Sequence, residues 1–223
     1  MLIETDLNEF GWAVIKSVLS KDECSNISEC YENDEAFRSQ VIMARHGFGR
    51  GEYKYFSYPL PQMIAKLRQK FYPPLAQIAN GWNKRIKSDH QYPKAHQDYI
   101  KTCHAAGQIK PTPLILKYGE GDYNCLHQDI YGTETFPLQM AILLSQPGAD
   151  FTGGEFVLTE QRPRMQSKVG VIPLNQGDAV IFPVRYRPVQ GVRGTYKVNM
   201  RHGVSRLTSG IRYTLGIIFH DAQ

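Results

Sequence analysis

The sequence predicts an α+β fold in which helices precede a β-sandwich of about eight short strands. In the first half, apolar residues recur at helical spacing. From Pro113 onward, eight short strand-like runs follow one another, many of them separated by glycine, proline, asparagine or aspartate. Eight strands of this length suit two facing sheets with jelly-roll connections. No internal repeat, linker or low-complexity tract interrupts the pattern. Residues 1–223 therefore read as one domain, helical over 1–110 and a β-sandwich core over 111–223.

The elements follow in order. Phe10 to Leu19 (FGWAVIKSVL) reads as an opening strand. Ser20-Lys21-Asp22-Glu23 is a capping box, which starts a helix running toward Phe37. Residues 61–88 carry apolar positions at helical spacing, and Pro73-Pro74 is expected to break or kink that run. Tyr92 to Ala106 suggests a further helix, entered after Pro93 and ended by Gly107. The strand runs are LILKY, YNCLHQ, FPLQMAILLS, GEFVLTE, VGVIPL, DAVIFPV, KVNMRHG and IRYTLGIIF.

Composition excludes several classes. Hydrophobic residues at 42% and charged residues at 21% describe a globular protein, not a disordered or membrane one. The first residues carry Glu4, Asp6 and Glu9 with no basic stretch leading into an apolar one, so no signal peptide is expected. No apolar run approaches membrane-helix length, and a cytoplasmic location is expected. A net charge of +5 permits a phosphate-bearing partner without demanding one. Cys24, Cys30, Cys103 and Cys125 form no Cys-x-x-Cys pair and are expected to be free, buried thiols. Cys125 precedes His127 by two residues, which raises a zinc reading, but no second cysteine has suitable spacing.

The chemistry lies in His127, Asp129 and His202, with Arg212 ten residues beyond the last. Two imidazoles and a carboxylate can hold one face of an octahedral metal and leave the opposite face open, the ligand set of non-haem Fe(II) oxygenases. His-Gln-Asp occurs twice, at 96–98 and 127–129. In a helix, residues i and i+2 diverge, so His96 and Asp98 read as a solvated helix surface. In a strand they share a face, so His127 and Asp129 can grip one ion. Read singly, His127 is a hydrogen-bonded strand end and Asp129 a turn former before Gly132. His202 ends one strand-like run and Arg212 opens the next, which places them side by side. An arginine fork suits a buried carboxylate, and Tyr118 on the preceding strand could add a phenol hydrogen bond to the same acid.

His127-x-Asp129, His202 and Arg212 resemble the signature of the Fe(II)/2-oxoglutarate-dependent dioxygenases, supported by DFTGGEFVLTE (150–160), QGDAVIF (176–182) and RHGVSRL (201–207). Segments 46–61, 125–132 and 159–167 resemble a bacterial group described as oxygenases acting on damaged nucleic acid, grouped loosely with the AlkB-like repair enzymes. The resemblance covers nearly the whole chain. It implies a double-stranded β-helix, the cupin-like jelly roll. It also implies Fe(II) held by His127, Asp129 and His202, with 2-oxoglutarate bound through Arg212 and Tyr118. O2 would convert 2-oxoglutarate to succinate and CO2 while the substrate is hydroxylated or oxidatively demethylated. The spacing of Arg212 and the GGEF segment resemble the prolyl-hydroxylase group instead. The alternatives are thus the same chemistry on a protein side chain or small molecule, or a non-catalytic β-sandwich binding module.

Two segments are candidates for the mouth. Residues 45–56 interleave Arg45, Arg50 and Lys54 with Phe48, Tyr53, Tyr55 and Phe56, a pattern suited to single-stranded or damaged nucleic acid. Residues 185–197 read as a basic loop carrying Arg187 and Arg193, with Arg201 and Arg206 beyond it. Both also read as solvated surface loops. His46 is a further candidate ligand or proton donor, and equally a surface histidine.

Overall fold

In a computed structural model, the chain is described over residues 2–130, 132–192 and 194–223. Its elements are α1 (Leu2–Glu9), β1 (Ala13–Ile15), α2 (Lys21–Glu29), β2 (Phe37–Ile42), β3 (Gly49–Arg50), β4 (Glu52–Phe56), α3 (Gln62–Arg85) and α4 (His96–Ala105). There follow β5 (Leu114–Tyr118), β6 (Tyr123–His127), β7 (Leu138–Leu143), β8 (Phe151–Gly153), β9 (Phe156–Gln161) and β10 (Lys168–Ile172). The last are β11 (Ala179–Pro183), β12 (Tyr186–Gly191), β13 (Gly194–Val204), β14 (Leu207–Gly210) and β15 (Arg212–Ile217).

The strands form two main antiparallel sheets. One runs β1-β11-β7-β15-β5-β4-β2; the other runs β10-β9-β13-β6-β3, with β12 paired to β13. The eight expected strand runs are all present, and they divide evenly. β5, β7, β11 and β15 lie in the first sheet, and β6, β9, β10 and β13 in the second. The jelly-roll expectation holds.

Strand alternation decides which residues reach which core. On β7, Leu138, Met140 and Ile142 join a cluster with Phe71, Tyr72 and Leu75 of α3. Ala141 and Leu143 of the same strand instead face β9 and β13, packing with Phe156, Leu158 and Met200. β11 behaves alike: Ala179 and Ile181 face the helices, Val180 and Phe182 the opposite sheet. A sheet covered on both faces explains why these strands read as nearly continuous apolar runs.

Several local expectations are corrected. Residues 1–110 are not purely helical, because β2 and β4 pair with each other and extend the first sheet beyond β5. The opening strand is only Ala13–Ile15, and the helix from the Ser20 capping box stops at Glu29. Pro73-Pro74 does not break α3, which runs unbroken over Gln62–Arg85. The two carbonyls left without their usual donors belong to the exposed Gln69 and Lys70, where water can satisfy them. Segment 185–197 is the β12–β13 hairpin and not a loop. Cys24 and Cys103 are buried, but Cys30 is half-buried and Cys125 exposed.

His96 is also corrected. It does diverge from Asp98, which pairs with Lys101 at the surface. His96 itself is buried, and its Nε2 donates to the Phe219 carbonyl at 2.9 Å. It belongs to a polar network that ties α3 and α4 to the C-terminal segment. Arg68 pairs with the fully buried Asp221 at 3.0 Å, and the Phe136 amide donates to His220 Nδ1 at 3.2 Å.

Burial, reinforced by the charge of Arg68, lowers both His96 and His220 to about 4. In the unfolded chain both titrate near the ordinary histidine value of about 6.5. Between these values the unfolded state binds more protons, so stability is present at neutral pH and is lost as pH falls through this window. The expected cost is up to about 1.4 kcal/mol per pH unit for each histidine. Thermal melts between pH 7 and pH 4 should show Tm falling below about pH 6.5, and His96→Gln should flatten part of the fall. An unchanged Tm across the window would contradict this account.

Candidate active site

The site lies between the two sheets, and a bulge makes it possible. On β13, Val198, Met200, His202 and Val204 share the inward face. His202 pairs with His127 of β6, but Val204 pairs with Asn124, so β6 carries one extra residue across this interval. The bulge turns both Asn124 and His127 into the cavity and leaves Cys125 and Leu126 outside. Simple alternation would have put Cys125 on the face of His127. The bulge removes Cys125 from the ligand set, and the zinc reading fails with it: the only candidate group among the described residues is His127, Asp129 and His202.

The ligand atoms of those three residues all lie within 4.8 Å of one another. His127 Nε2 is 3.4 Å from Asp129 Oδ1, and His202 Nε2 is 3.3 Å from Asp129 Oδ2. Neighbouring corners of an octahedron are about 3 Å apart when each ligand is about 2.1 Å from the metal, so the spacing fits one small divalent ion. His127 Nδ1 donates to the Cys125 carbonyl at 2.7 Å, which leaves the Nε2 lone pair toward Asp129. Gln139 of β7 donates from Nε2 to Asp129 Oδ2 at 2.7 Å and lies 3.2 Å from His202 Nε2.

Electrostatics agree with a ligand role. Burial alone would raise Asp129, yet its bonds to His127 and His202 outweigh that and hold the carboxylate well below its usual range. Burial and the neighbouring His127 lower His202, which keeps it neutral. Burial also works to lower His127, but the hydrogen bond and charge of Asp129 prevail and raise it. Asp129 therefore serves the more accessible imidazole as proton partner, and a metal would take that proton's place.

The cavity has a volume of about 220 Å³ and reaches Arg212 on β15. Arg212 is buried, and its NH1 donates to Thr214 Oγ1 at 2.5 Å, while Nε has no partner. Among the described residues no carboxylate lies within ion-pair distance of it. Burial pushes Arg212 down to about 10, so it stays charged at neutral pH in a place that penalises charge. Tyr118 is its register partner on β5, with the guanidinium 5.7 Å from the ring centre. The Tyr118 hydroxyl accepts from Asn124 Nδ2 at 3.2 Å.

Thus His127, Asp129, His202, Arg212 and Tyr118 line one cavity, together with Tyr53 and Tyr55 of the expected mouth. The other expected substrate residues do not gather there. Arg45 is exposed on a 3-10 turn, and Arg50 is exposed and pairs with Asp122 at 3.6 Å. Arg187 is buried and bound to Glu160 and the Asn8 carbonyl, which makes it a structural residue and not a substrate contact. Arg193 lies outside the described residues. His46 stacks on Phe48 and is no ligand. Gln139, Asn124 and Thr214 escaped the sequence reading. The clue was there for two of them: Gln139 interrupts an apolar strand, and Thr214 stands two residues from Arg212.

Comparisons with known proteins agree with this geometry. Residues 51–222 match the model of a family described as "Oxygenase, catalysing oxidative methylation of damaged DNA". An uncharacterized protein of Mycobacterium tuberculosis, found in two strains, is 48% identical over 167 residues, 75% of this chain and 72% of its own. A Pseudomonas putida prolyl-4-hydroxylase superposes with a TM-score of 0.55 at 14% identity, over 97% of this chain and 96% of its own. A 2OG-Fe(II) oxygenase family oxidoreductase from Burkholderia pseudomallei gives 0.56 at 14% identity, over 99% and 91%. At such identity these two structures speak for the fold. The chain is an oxygenase that belongs to the family whose model it matches, and it is built on the jelly-roll fold of the 2OG-Fe(II) enzymes.

Proposed function

We propose that residues 1–223 act as one Fe(II)- and 2-oxoglutarate-dependent dioxygenase domain that oxidises alkylated bases in single-stranded or damaged nucleic acid. The observation that carries this is the pairing, in one cavity, of a compact His-Asp-His group with the buried, carboxylate-free Arg212. His127, Asp129 and His202 would hold the metal, with Gln139 fixing the Asp129 carboxylate. Arg212 and Thr214 receive the far carboxylate of 2-oxoglutarate, and Tyr118 closes the wall beside them. When bound, Fe(II) supplies the oxidising chemistry in which O2 and 2-oxoglutarate yield succinate, CO2 and an oxygenated substrate.

This chain's own residues shape that chemistry. Phe156 and Phe182 pack on the His202 ring at 6.0 and 4.6 Å and keep water from its flank. Tyr53 and Tyr55 meet edge to face at 5.4 Å on the cavity wall, and Phe48 lines it as well. A planar base can lie against such rings. The exposed Arg45, three residues before Phe48, serves a phosphate outside the cavity, whereas Arg50 pairs with Asp122. The family description, with its damaged DNA, supports the same substrate class. Among the described residues no helix is long and apolar enough to cross a membrane. A cytoplasmic location belongs to this proposal and suits the free cysteines.

Succinate formation, coupled to an absorbance readout, should rise when N-methylated single-stranded DNA or RNA is added, and the stimulation should fall with salt. Stimulation by peptides or metabolites alone would move the substrate class. Arg212→Met keeps the stem and removes the fork. It should raise the 2-oxoglutarate KM by about 10–100-fold while metal binding stays as in the wild type. An unchanged KM would show that the co-substrate carboxylate lies elsewhere.

A further inference from the structure

A second cavity of about 220 Å³ adjoins the first. It is lined by Trp82, Ile130, Pro137, Arg185, Tyr186 and Lys197, among others. One segment borders both, because Gln128 and Asp129 line the metal cavity and Ile130 the second one. That segment is firmly held. Gln128 Nε2 donates to Asn199 Oδ1 at 2.7 Å, to the Met200 carbonyl at 2.8 Å and to the Arg185 carbonyl at 3.3 Å.

The second cavity presents charge and aromatic surface together. The Arg185 guanidinium lies 4.5 Å from the Tyr186 ring centre, and the Lys197 ammonium lies 5.8 Å from it. Neither cation has a carboxylate within ion-pair distance among the described residues, and both are exposed. Ile130 adds an exposed apolar face. Arg187 of β12, which also borders this cavity, makes the contrast: it is buried and is neutralised by Glu160. Arg187 thus holds the fold, while Arg185 and Lys197 stand exposed and without a carboxylate partner among the described residues.

We propose that this cavity receives the nucleotide flanking the one in the metal cavity, an inference that rests on the nucleic-acid reading above. The flanking base stacks against Tyr186 and Ile130, and its phosphate meets Arg185 and Lys197. A single strand offers a planar apolar group and an anion at each repeat, which matches both halves of this surface. An apolar peptide would leave both cations unmatched, and a bare anion would leave the ring and Ile130 unused. Because the segment 128–130 borders both cavities, consecutive nucleotides occupy the two.

Fluorescence anisotropy with labelled pentathymidylate, on the metal-loaded protein, tests this. The wild type is expected to bind in a salt-sensitive manner. Tyr186→Ala should weaken binding about tenfold, and Lys197→Ala should lower the salt slope by about one. Thymidine monophosphate should compete equally well with each variant at the metal cavity. Succinate formed without a primary substrate should be unchanged in both variants. If the wild type binds and both variants match it, the flanking site is wrong while the nucleic-acid reading stands. Parallel loss of binding and of substrate-free succinate formation would reveal a structural effect and overturn the proposal. If the wild type fails to bind the oligonucleotide at all, the nucleic-acid reading falls and takes this inference with it.

Discussion

An ionised carboxylate and a charged guanidinium, both enclosed between two β-sheets, are the constraint around which this structure is organised. Asp129 and Arg212 are each almost fully buried, yet they do not neutralise each other. Taking either charge out of water costs several kcal/mol unless partners repay it. Asp129 is repaid by His127, His202 and Gln139. Arg212 has Thr214 and the faces of Tyr118 and Phe151, but no carboxylate within ion-pair distance among the described residues. A fold that served stability alone would have joined the two charges or replaced them with apolar residues. Keeping them apart in one cavity leaves one end shaped for a cation and the other for an anion.

The rest of the architecture can be read as support for that separation. The first sheet is packed on both faces, so Gln139, Arg212 and Thr214 project from strands clamped by α3 and α4 on the far side. The second sheet supplies His127 and His202 from paired strands, with one bulge setting the angle between them. The buried Arg187–Glu160 pair, joined to the Asn8 carbonyl, anchors the hairpin that leads into His202. Arg185 and Lys197 are then available at the surface.

Much of this was visible in the sequence because it follows from periodicity. The eight strand runs could be recognised since each is short, apolar and bounded by turn residues. His127 could be preferred over His96 since a strand and a helix send residues i and i+2 in different directions. What periodicity does not carry is where the register slips. The bulge in β6 reverses the face of Cys125, and no local signal marks it. Burial of single charged residues is hidden for the same reason. Arg187 and Arg185 are two residues apart, and only tertiary packing makes one a structural ion pair and the other an exposed cation. His96 reads as surface from the sequence because its partner, the Phe219 carbonyl, lies 123 residues away. Helix α3 survives two prolines because its buried face, from Ile64 to Trp82, outweighs the lost hydrogen bonds.

The two separated charges are held for a metal ion and for the anion that joins it. Anaerobic calorimetric titration of the protein with Fe(II), followed by 2-oxoglutarate, tests it most directly. One Fe(II) should bind per chain, Asp129→Ala should abolish that binding, and 2-oxoglutarate should bind strongly only once the metal is present. Absence of Fe(II) binding to the wild type, or equal binding to Asp129→Ala, would contradict it.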